Sequence, residues 1–172
     1  SALPDLQRVF IVGGGGREHA LSWALQRCNG IDAVWVSPGN AGDGQQPIAI
    51  PETDGDGLIA HCRSQAVDLV VVGPEAPLAA GVADALRDAG IAVFGPGAEG
   101  AQLESSKAWA KQLMQDAGVP TAGHWAVTSE EEALEVLAQV GRPLVVKADG
   151  LAAGKGVTVA DTLAEAEAAI RE

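Results

Sequence analysis

Short apolar runs alternate with longer segments of helical spacing through the N-terminal part of the chain, and this alternation constrains its fold most strongly. Five runs have the β-branched and aromatic composition of strands: 9–12, 34–36, 48–50, 69–72 and 91–94. Helix-like segments lie near 17–28, 56–65 and 78–89. The runs are apolar throughout instead of alternating, which is typical of a parallel sheet covered on both faces. We therefore predict a doubly wound, Rossmann-like α/β domain over residues 1–102.

A different pattern follows this domain. A helical segment over 98–117 ends at Gly118, a typical helix stop with Pro120 just beyond it, so we expect a linker helix within 103–121. Residues 122–172 are predicted to contain a strand at "GHWAV", a helix capped by Thr128 or Ser129, two strands in "RPLVVKAD" and "GVTVAD", and a final helix. So few elements bury little apolar surface, and we expect this subdomain to be incomplete.

The stretch "VFIVGGGGREHA" places four glycines between the first strand and the first helix. Such a turn frees backbone N–H groups to face an anion, which the helix N-terminus also attracts. The dinucleotide pattern GxGxxG fails, because Glu18 or His19 occupies the position of the third glycine. A sugar phosphate smaller than NAD fits better, with Arg17 supplying positive charge and Glu75 of "GPEAP" accepting from hydroxyl groups. "SPGNAG", "GPEAP" and "GPG" follow other strands and are expected at the same sheet edge.

A second glycine-rich stretch, "LVVKADGLAAGKGVTVA", lies between the two predicted C-terminal strands. It is not a Walker A loop, because Gly156 stands where a hydroxyl residue should hold magnesium and a strand follows instead of a helix. We interpret it as a flap between antiparallel strands that closes over a triphosphate and brings Lys155 to the phosphates. Lys147 interrupts an apolar strand, where a charge is costly unless it is paired with an anion.

Composition excludes several classes of function. Acidic residues outnumber basic ones by 23 to 11, giving a formal net charge of -12. The sequence lacks the basic cluster and the aromatic platform that nucleic-acid binding requires, so we expect no nucleic-acid partner. The two cysteines are too few for a disulfide framework. No apolar run approaches the length of a membrane span, and no secretory signal is evident, so we expect no membrane partner and a cytoplasmic location.

Taken together, "VGGGGREHAL", "SPGNAG", "VDLVVVGPEAPLAAGVAD", "QLESSKAWAK" and "VVKADGLAAGKGV" resemble the motifs of the glycinamide ribonucleotide synthetases, ATP-grasp ligases of purine biosynthesis. The resemblance covers nearly the whole chain. It implies that ATP, 5-phosphoribosylamine and glycine react through glycyl phosphate to give glycinamide ribonucleotide, ADP and phosphate, with magnesium required. It also identifies residues 122–172 as part of an ATP-grasp lid subdomain.

The resemblance implies a role for individual residues. The phosphoribosyl substrate would be held by Gly15, Gly16, Arg17, Glu18, Asn40, Gly42 and Glu75. ATP would be held by Lys107, Lys147, Gly154, Lys155 and Gly156. Lys147 and Lys155 would act catalytically, by neutralising charge during phosphoryl transfer. The family's magnesium ligands lie further along than Glu172, so we expect no metal ligand and no turnover in this chain.

Three alternatives remain at this stage. The chain could belong to another ATP-grasp carboxylate–amine ligase or a biotin carboxylase, although these lack "GGREHA" beside "GPEAPL". It could derive from a nicotinamide-dependent oxidoreductase, which the broken GxGxxG pattern disfavours. It could also be a module that binds a phosphoribosyl ligand without catalysis.

Overall fold

A computed structural model describes residues 6–40, 42, 48–152 and 156–172 of the chain. The fold divides into two compact units, Ser1–Ala101 and Gln102–Glu172, which we call unit 1 and unit 2. Among the described residues, no helix combines the length and the apolar character that crossing a membrane would require.

Unit 1 is built on a parallel sheet of four strands in the order β2-β1-β3-β4. The strands are β1 (Arg8–Gly13), β2 (Ala33–Pro38), β3 (Leu69–Val72) and β4 (Val93–Phe94). Helices follow them: α1 (Gly16–Leu25), α2 (Gly55–Ser64), α3 (Glu75–Ala79), α4 (Val82–Asp88) and α5 (Ala98–Ser105), the last of which spans the boundary with unit 2. In β1, Ile11 lies opposite Val36 on one side and Val71 on the other.

Both faces of this sheet are covered, which confirms the predicted doubly wound α/β fold. Phe10 and Val12 of β1 face one core cluster, where Leu58 of α2 and Leu86 of α4 are fully buried. Val9 and Ile11 face the other cluster, which contains β2 residues and is flanked by Leu21 and Leu25 of α1. A strand buried on both faces cannot alternate polar and apolar residues, and this explains the unbroken apolar runs.

The prediction of a strand at 48–50 is wrong. The Ser37 hydroxyl oxygen, at the end of β2, lies 2.7 Å from the carbonyl oxygens of both Ile48 and Ile50. The Ile50 N–H donates back to the same hydroxyl at 3.3 Å. The Ser37 side chain thus makes the hydrogen bonds with this backbone that a neighbouring strand would otherwise make. The segment is apolar because Ile48 and Ile50 pack against the core.

Two other predicted elements of unit 1 are shorter than expected. The helix predicted over 78–89 is divided into α3 and α4, because Gly81 adopts a φ of 81° between them. The strand predicted over 91–94 is reduced to Val93–Phe94. These changes alter lengths and leave the βαβ topology as predicted.

Unit 2 contains α6 (Lys107–Asp116), α7 (Glu130–Val140) and α8 (Leu163–Arg171), with an antiparallel pair of strands, β5 (Val145–Lys147) and β6 (Val157–Val159). Its buried core comprises Leu137, Ala160 and Ala166. The helix predicted over 98–117 breaks at Ser106, whose side chain accepts from the Trp109 N–H and caps α6. The strand predicted at 123–127 is absent from this described segment, where Trp125 and Val127 are exposed.

Candidate functional site

The loops that follow β1, β2 and β3 meet at the carboxyl edge of the sheet in unit 1. The Gly39 N–H donates to the Gly13 carbonyl at 3.2 Å, and the Gly73 N–H donates to the Val12 carbonyl at 3.0 Å. The Asn40 side-chain amide donates to the Gly14 and Gly15 carbonyls at 3.2 and 3.3 Å. Since ligands of open parallel sheets bind beyond this edge, the edge is a candidate binding site.

Glu18 lies beneath the glycine loop and is only 4% exposed. Its Oε2 accepts from the Gly15 N–H at 2.7 Å. A Cβ at Gly13 would lie 2.8 Å from the Glu18 Cδ, and a Cβ at Gly73 would lie 2.6 Å from it. Gly13 also has a φ of 129°, which a residue with a side chain rarely adopts. Two glycines are therefore required by the packing of this carboxylate, and a ligand is not needed to explain them.

The space available for a side chain differs between Gly14 and Gly16. A Cβ at Gly14 would lie 2.7 Å from the Gly39 carbonyl oxygen, so this glycine permits two loops to approach closely. A Cβ at Gly16 would meet nothing within 4 Å. Gly16 opens α1, which has no side-chain cap, and within the described residues the N–H groups of Gly16 and Arg17 have no hydrogen-bond acceptor. The open helix N-terminus can thus receive an anion.

Arg17 projects beside this helix end with a side chain that is 62% exposed. Its Nη1 donates to the Gly73 carbonyl at 2.6 Å, and its Nη2 lies 3.4 Å from the Glu75 carboxylate. An ion pair this exposed contributes at most about 1 kcal/mol. The contact orients the guanidinium and leaves other N–H donors of its fork for a bound anion.

Asn40 and Gly42 lie at the end of the β2 loop. Asn40 Oδ1 accepts from the Gly42 N–H at 2.9 Å, while its amide nitrogen contacts the glycine loop. A Cβ at Gly42 would lie 2.6 Å from the His19 imidazole, so glycine is needed for this close approach. The unit 1 site residues named from the sequence therefore all lie at the carboxyl edge of the sheet, in the loops after β1 and β2 or in the first turns of α1 and α3: Gly15, Gly16, Arg17, Glu18, Asn40, Gly42 and Glu75.

In unit 2, the described ATP-site candidates are Lys107, Lys147 and Gly156, and Gly154 and Lys155 lie outside the described residues. Gly156 closes the base of the hairpin, because its carbonyl accepts from the Ala148 N–H at 2.7 Å. Lys147 ends β5 and is exposed. Lys147 does interrupt an apolar strand, as predicted, but the expected cost of an unpaired charge there does not arise, since β5 has one face open and Val145 is 48% exposed. The exposed side chain is solvated by water and needs no bound anion to offset a cost of burial.

Asp149 and Ser106 were not expected at this site. The Asp149 carboxylate accepts from the backbone N–H groups of Lys107 at 2.5 Å and Ala108 at 3.4 Å and from the Ser106 hydroxyl at 3.1 Å. Burial acts to raise the pKa of Asp149, but these hydrogen bonds and one from the Gly150 N–H together hold it below its usual value. The serine before the α6 pattern was a signal for the cap, whereas no local pattern indicated Asp149.

In the part of the chain that the structure describes, the carboxyl edge of the unit 1 sheet is marked neither by a metal-binding cluster nor by either of the two best-formed cavities. Among the described residues, no group of three or more His, Cys, Asp or Glu side chains could hold a metal ion. A shallow cavity of about 400 Å³ lies elsewhere, lined by Gln26 and residues 31–35 at the amino end of β2. The loops at the carboxyl edge, with their charge and open N–H groups, identify the candidate site better than concavity does.

Comparisons with known proteins agree with this architecture. The phosphoribosylamine–glycine ligase of Allochromatium vinosum is 49% identical over 169 residues, which are 96% of this chain and 40% of that protein. The crystal structure of the phosphoribosylamine–glycine ligase of Thermotoga maritima is 34% identical, has a TM-score of 0.72, and matches over 94% of this chain and 38% of its own. The chain therefore spans about 40% of the length of such relatives.

A more distant structure shares the fold. A biotin carboxylase–β,γ-ATP complex from Campylobacter jejuni has a TM-score of 0.70 at 21% identity, over 94% of this chain and 40% of its own. Two family models match this chain. The N domain of phosphoribosylglycinamide synthetase matches residues 7–104, and the ATP-grasp (A) domain of phosphoribosylglycinamide synthetase matches residues 105–172. Since the two matches are continuous, the chain belongs to the phosphoribosylglycinamide synthetase family.

Proposed function

We propose that this chain is the N-terminal part of an ATP-dependent ligase that joins glycine to 5-phosphoribosylamine, and that unit 1 binds the phosphoribosyl group. The observation that carries the proposal is the open N-terminus of α1. There the N–H groups of Gly16 and Arg17 lie without acceptors among the described residues, next to an exposed guanidinium. A phosphate monoester is the ligand that this combination of helix dipole and positive charge favours.

The same edge favours a sugar phosphate over a dinucleotide. In a dinucleotide fold the third glycine lets the helix pack closely against the strand, whereas here Glu18 fills that position and its carboxylate occupies the space beside Gly13 and Gly73. Glu75 stands beside Arg17 with 46% of its side chain exposed, so it can also accept a hydrogen bond from a ribose hydroxyl. Asn40 contributes by fixing the glycine loop.

Unit 2 is proposed to contribute to the ATP site through Lys107, Lys147, Gly154, Lys155 and Gly156. Glycine carboxylate and the ATP phosphates are all anionic, so lysines lower the repulsion between the reactants. A carboxylate oxygen attacks the γ-phosphorus and ADP leaves. The amine nitrogen of phosphoribosylamine then attacks the carbonyl carbon of glycyl phosphate, and phosphate leaves. Magnesium supplies further charge neutralisation when bound, and we assign it to no residue of this chain.

The binding half of the proposal is tested by titrating the chain with ribose 5-phosphate or glycinamide ribonucleotide. Backbone amide NMR signals of Gly16 and Arg17 should shift most, because theirs are the N–H groups at the start of α1 that have no acceptor among the described residues. NAD serves as the comparison ligand and should leave these signals unchanged. Tight NAD binding at the same loop would contradict the ligase assignment in favour of a nicotinamide enzyme.

The catalytic half is tested in a complete protein that carries these residues, since the chain spans about 40% of its relatives. Lys147→Ala should lower kcat severely, and Lys111→Ala, in the same unit, is the control. An unchanged rate for Lys147→Ala would remove this lysine from the site. If ribose 5-phosphate binds and no ligation occurs in the complete protein, the chain is a phosphoribosyl-binding module. The expected cytoplasmic location belongs to this proposal and is checked by fractionation.

A further inference from the structure

Two neighbouring residues of unit 2 bind both ends of Lys107. The Asp149 carboxylate accepts from the Lys107 backbone N–H at 2.5 Å. The Lys107 Nζ donates to the Gly150 carbonyl at 2.9 Å in a part-buried contact. The turn after β5 therefore holds the first residue of α6, Lys107, both at its backbone N–H and at its ammonium group. All four groups belong to unit 2, so the contact is internal to one compact body.

This arrangement decides which positive group α6 offers to an anionic ligand. An uncapped helix N-terminus would present backbone N–H groups, but Asp149 accepts from Lys107 and Ala108, and Ser106 accepts from Trp109. The helix end is thereby satisfied by protein oxygens. The Lys107 ammonium has three N–H donors, and the Gly150 carbonyl takes one of them. What remains for a ligand is the side chain of Lys107, held in a fixed position.

We propose that Asp149 is a positioning residue that fixes Lys107 for nucleotide phosphate. This inference rests on the proposed ATP site, in which Lys107 contacts ATP and Asp149 does not. Without the carboxylate, the N–H groups of Lys107 and Ala108 lose their acceptor and the 149–150 turn separates from α6. The Lys107 side chain then samples many rotamers, and the conformational entropy lost when it is ordered would oppose nucleotide binding. Asp149 thus acts on affinity through Lys107.

The first test measures lysine reactivity in the chain without nucleotide. The four lysines of the sequence, Lys107, Lys111, Lys147 and Lys155, can be followed individually by mass spectrometry after limited acetylation with acetic anhydride. In Asp149→Ala, acetylation of Lys107 should rise about fivefold, the factor expected for loss of roughly one net hydrogen bond. Lys111, which is bound to Thr121 and Ala122, should keep its rate. Asp161→Ala, at an exposed aspartate of unit 2, is the matched control.

A conservative variant and a spectroscopic signature separate positioning from general destabilisation. Asp149→Asn retains one oxygen that can accept from Lys107 and Ala108, so it should restore most of the protection of Lys107. In the wild type, the amide proton signal of Lys107 should titrate with Asp149, at a pH below the usual value of 3.8 because hydrogen bonds stabilise the carboxylate. An unchanged Lys107 rate in Asp149→Ala, or a signal that does not titrate, would overturn the proposal.

Protection by nucleotide tests the ATP site separately. If ATP protects Lys107 in the wild type and the Asp149→Ala variant needs about tenfold more ATP for the same protection, both inferences are supported. If ATP protects both proteins at equal concentrations, the positioning role fails while the ATP site stands. If ATP protects neither, the ATP site in this chain fails, and the rates measured without nucleotide still decide whether Asp149 positions Lys107.

Discussion

The two glycine-rich loops of this chain are held in different ways. In unit 1 the loop after β1 rests on a sheet whose central residues Phe10, Ile11 and Val12 are fully buried, and a buried carboxylate fixes it from below. In unit 2 the loop follows β5, a strand of three residues with an open face, and the turn that begins it is tied to α6 by exposed hydrogen bonds. Packing fixes the first loop, whereas polar contacts near the surface fix the described start of the second, residues 149–150.

Because of this difference, substitutions in the two units should affect stability differently. Buried apolar contacts resist solvent competition, so the unit 1 loop should keep its shape without ligand. Surface hydrogen bonds exchange with water and contribute less. We expect large losses of stability at buried positions, such as those beneath the unit 1 loop, and small losses at exposed positions, such as most of those in unit 2. Each pair of substitutions below compares a buried residue with an exposed one.

The largest effect is expected for Phe10→Ala in β1. Phe10 is completely buried, and its ring lies 4.9 Å from that of His61. The substitution leaves a cavity and should lower the free energy of unfolding by about 3 to 5 kcal/mol. Urea denaturation measures this loss, and Phe10→Leu offers a milder variant if the alanine protein does not fold.

Phe94→Ala is the control, because Phe94 ends β4 with 71% of its surface exposed. Its free energy of unfolding should change by no more than about 0.5 kcal/mol. Similar losses for the two phenylalanines would mean that β1 is not the centre of a packed core.

A smaller effect is expected at the two glutamates that close a helix N-terminus. Glu18 is buried and accepts from the Gly15 N–H, whereas Glu165 of α8 is exposed and accepts from the Asp161 N–H at 2.8 Å. Glu18→Ala removes a buried side chain and leaves the N–H of the part-buried Gly15–Glu18 hydrogen bond without its acceptor, which should cost about 1 to 3 kcal/mol. Glu165→Ala should cost about 0.5 kcal/mol or less. Thermal unfolding of both variants measures the difference, and the idea fails if Glu165 proves the more costly.

The sequence predicted the sheet better than it predicted the site. Unbroken apolar runs indicated a parallel sheet because burial on both faces leaves no other pattern, and β1 and β3 were placed nearly to the residue. The run at 48–50 has the same composition but is held by the Ser37 hydroxyl. Composition shows that a segment is buried, and it cannot show which group satisfies the backbone.

The glycine loop illustrates the same limit at the site. The run of glycines predicts an anion site over the whole loop, yet Gly13 and Gly14 are required by their close contacts with Glu18 and Gly39. Only the positions at the start of α1 remain open. The contact between Asp149 and Lys107 joins residues far apart in the sequence, so no local pattern indicated it. Partners brought together by folding were the part that sequence reasoning missed.

The smallest effect expected is a difference in pH dependence between the units. Burial lowers the pKa of His61 from 6.5, so the unfolded chain takes up a proton at a higher pH than the folded chain does. Unit 1 should therefore lose stability as the pH falls below 6.5. The pKa of Asp149 is lowered in the folded protein. The stability that its carboxylate contributes to unit 2 is therefore fully present above pH 3.8, and it is lost as the pH falls through the pKa of the folded state.

Urea unfolding at several pH values between 7 and about 4.5 separates these two contributions. The indole NMR signal of Trp35 reports the unfolding of unit 1, and that of Trp109 reports the unfolding of unit 2. The unit 1 midpoint should fall over this range while the unit 2 midpoint changes less. His61→Gln, which cannot take up the proton, should flatten the unit 1 dependence. An equally steep slope in that variant would show that other groups cause it.

The open N-terminus of α1 and Arg17 are expected to bind a phosphate together, and calorimetric titration with ribose 5-phosphate measures this binding. Arg17→Ala should weaken binding about tenfold or more, because a hydrogen bond to a charged group contributes roughly 1.5 to 3 kcal/mol. Arg27→Ala, which removes an arginine stacked at 3.9 Å on Trp23, should leave the Kd unchanged. Equal affinity for the wild type and Arg17→Ala would contradict the account.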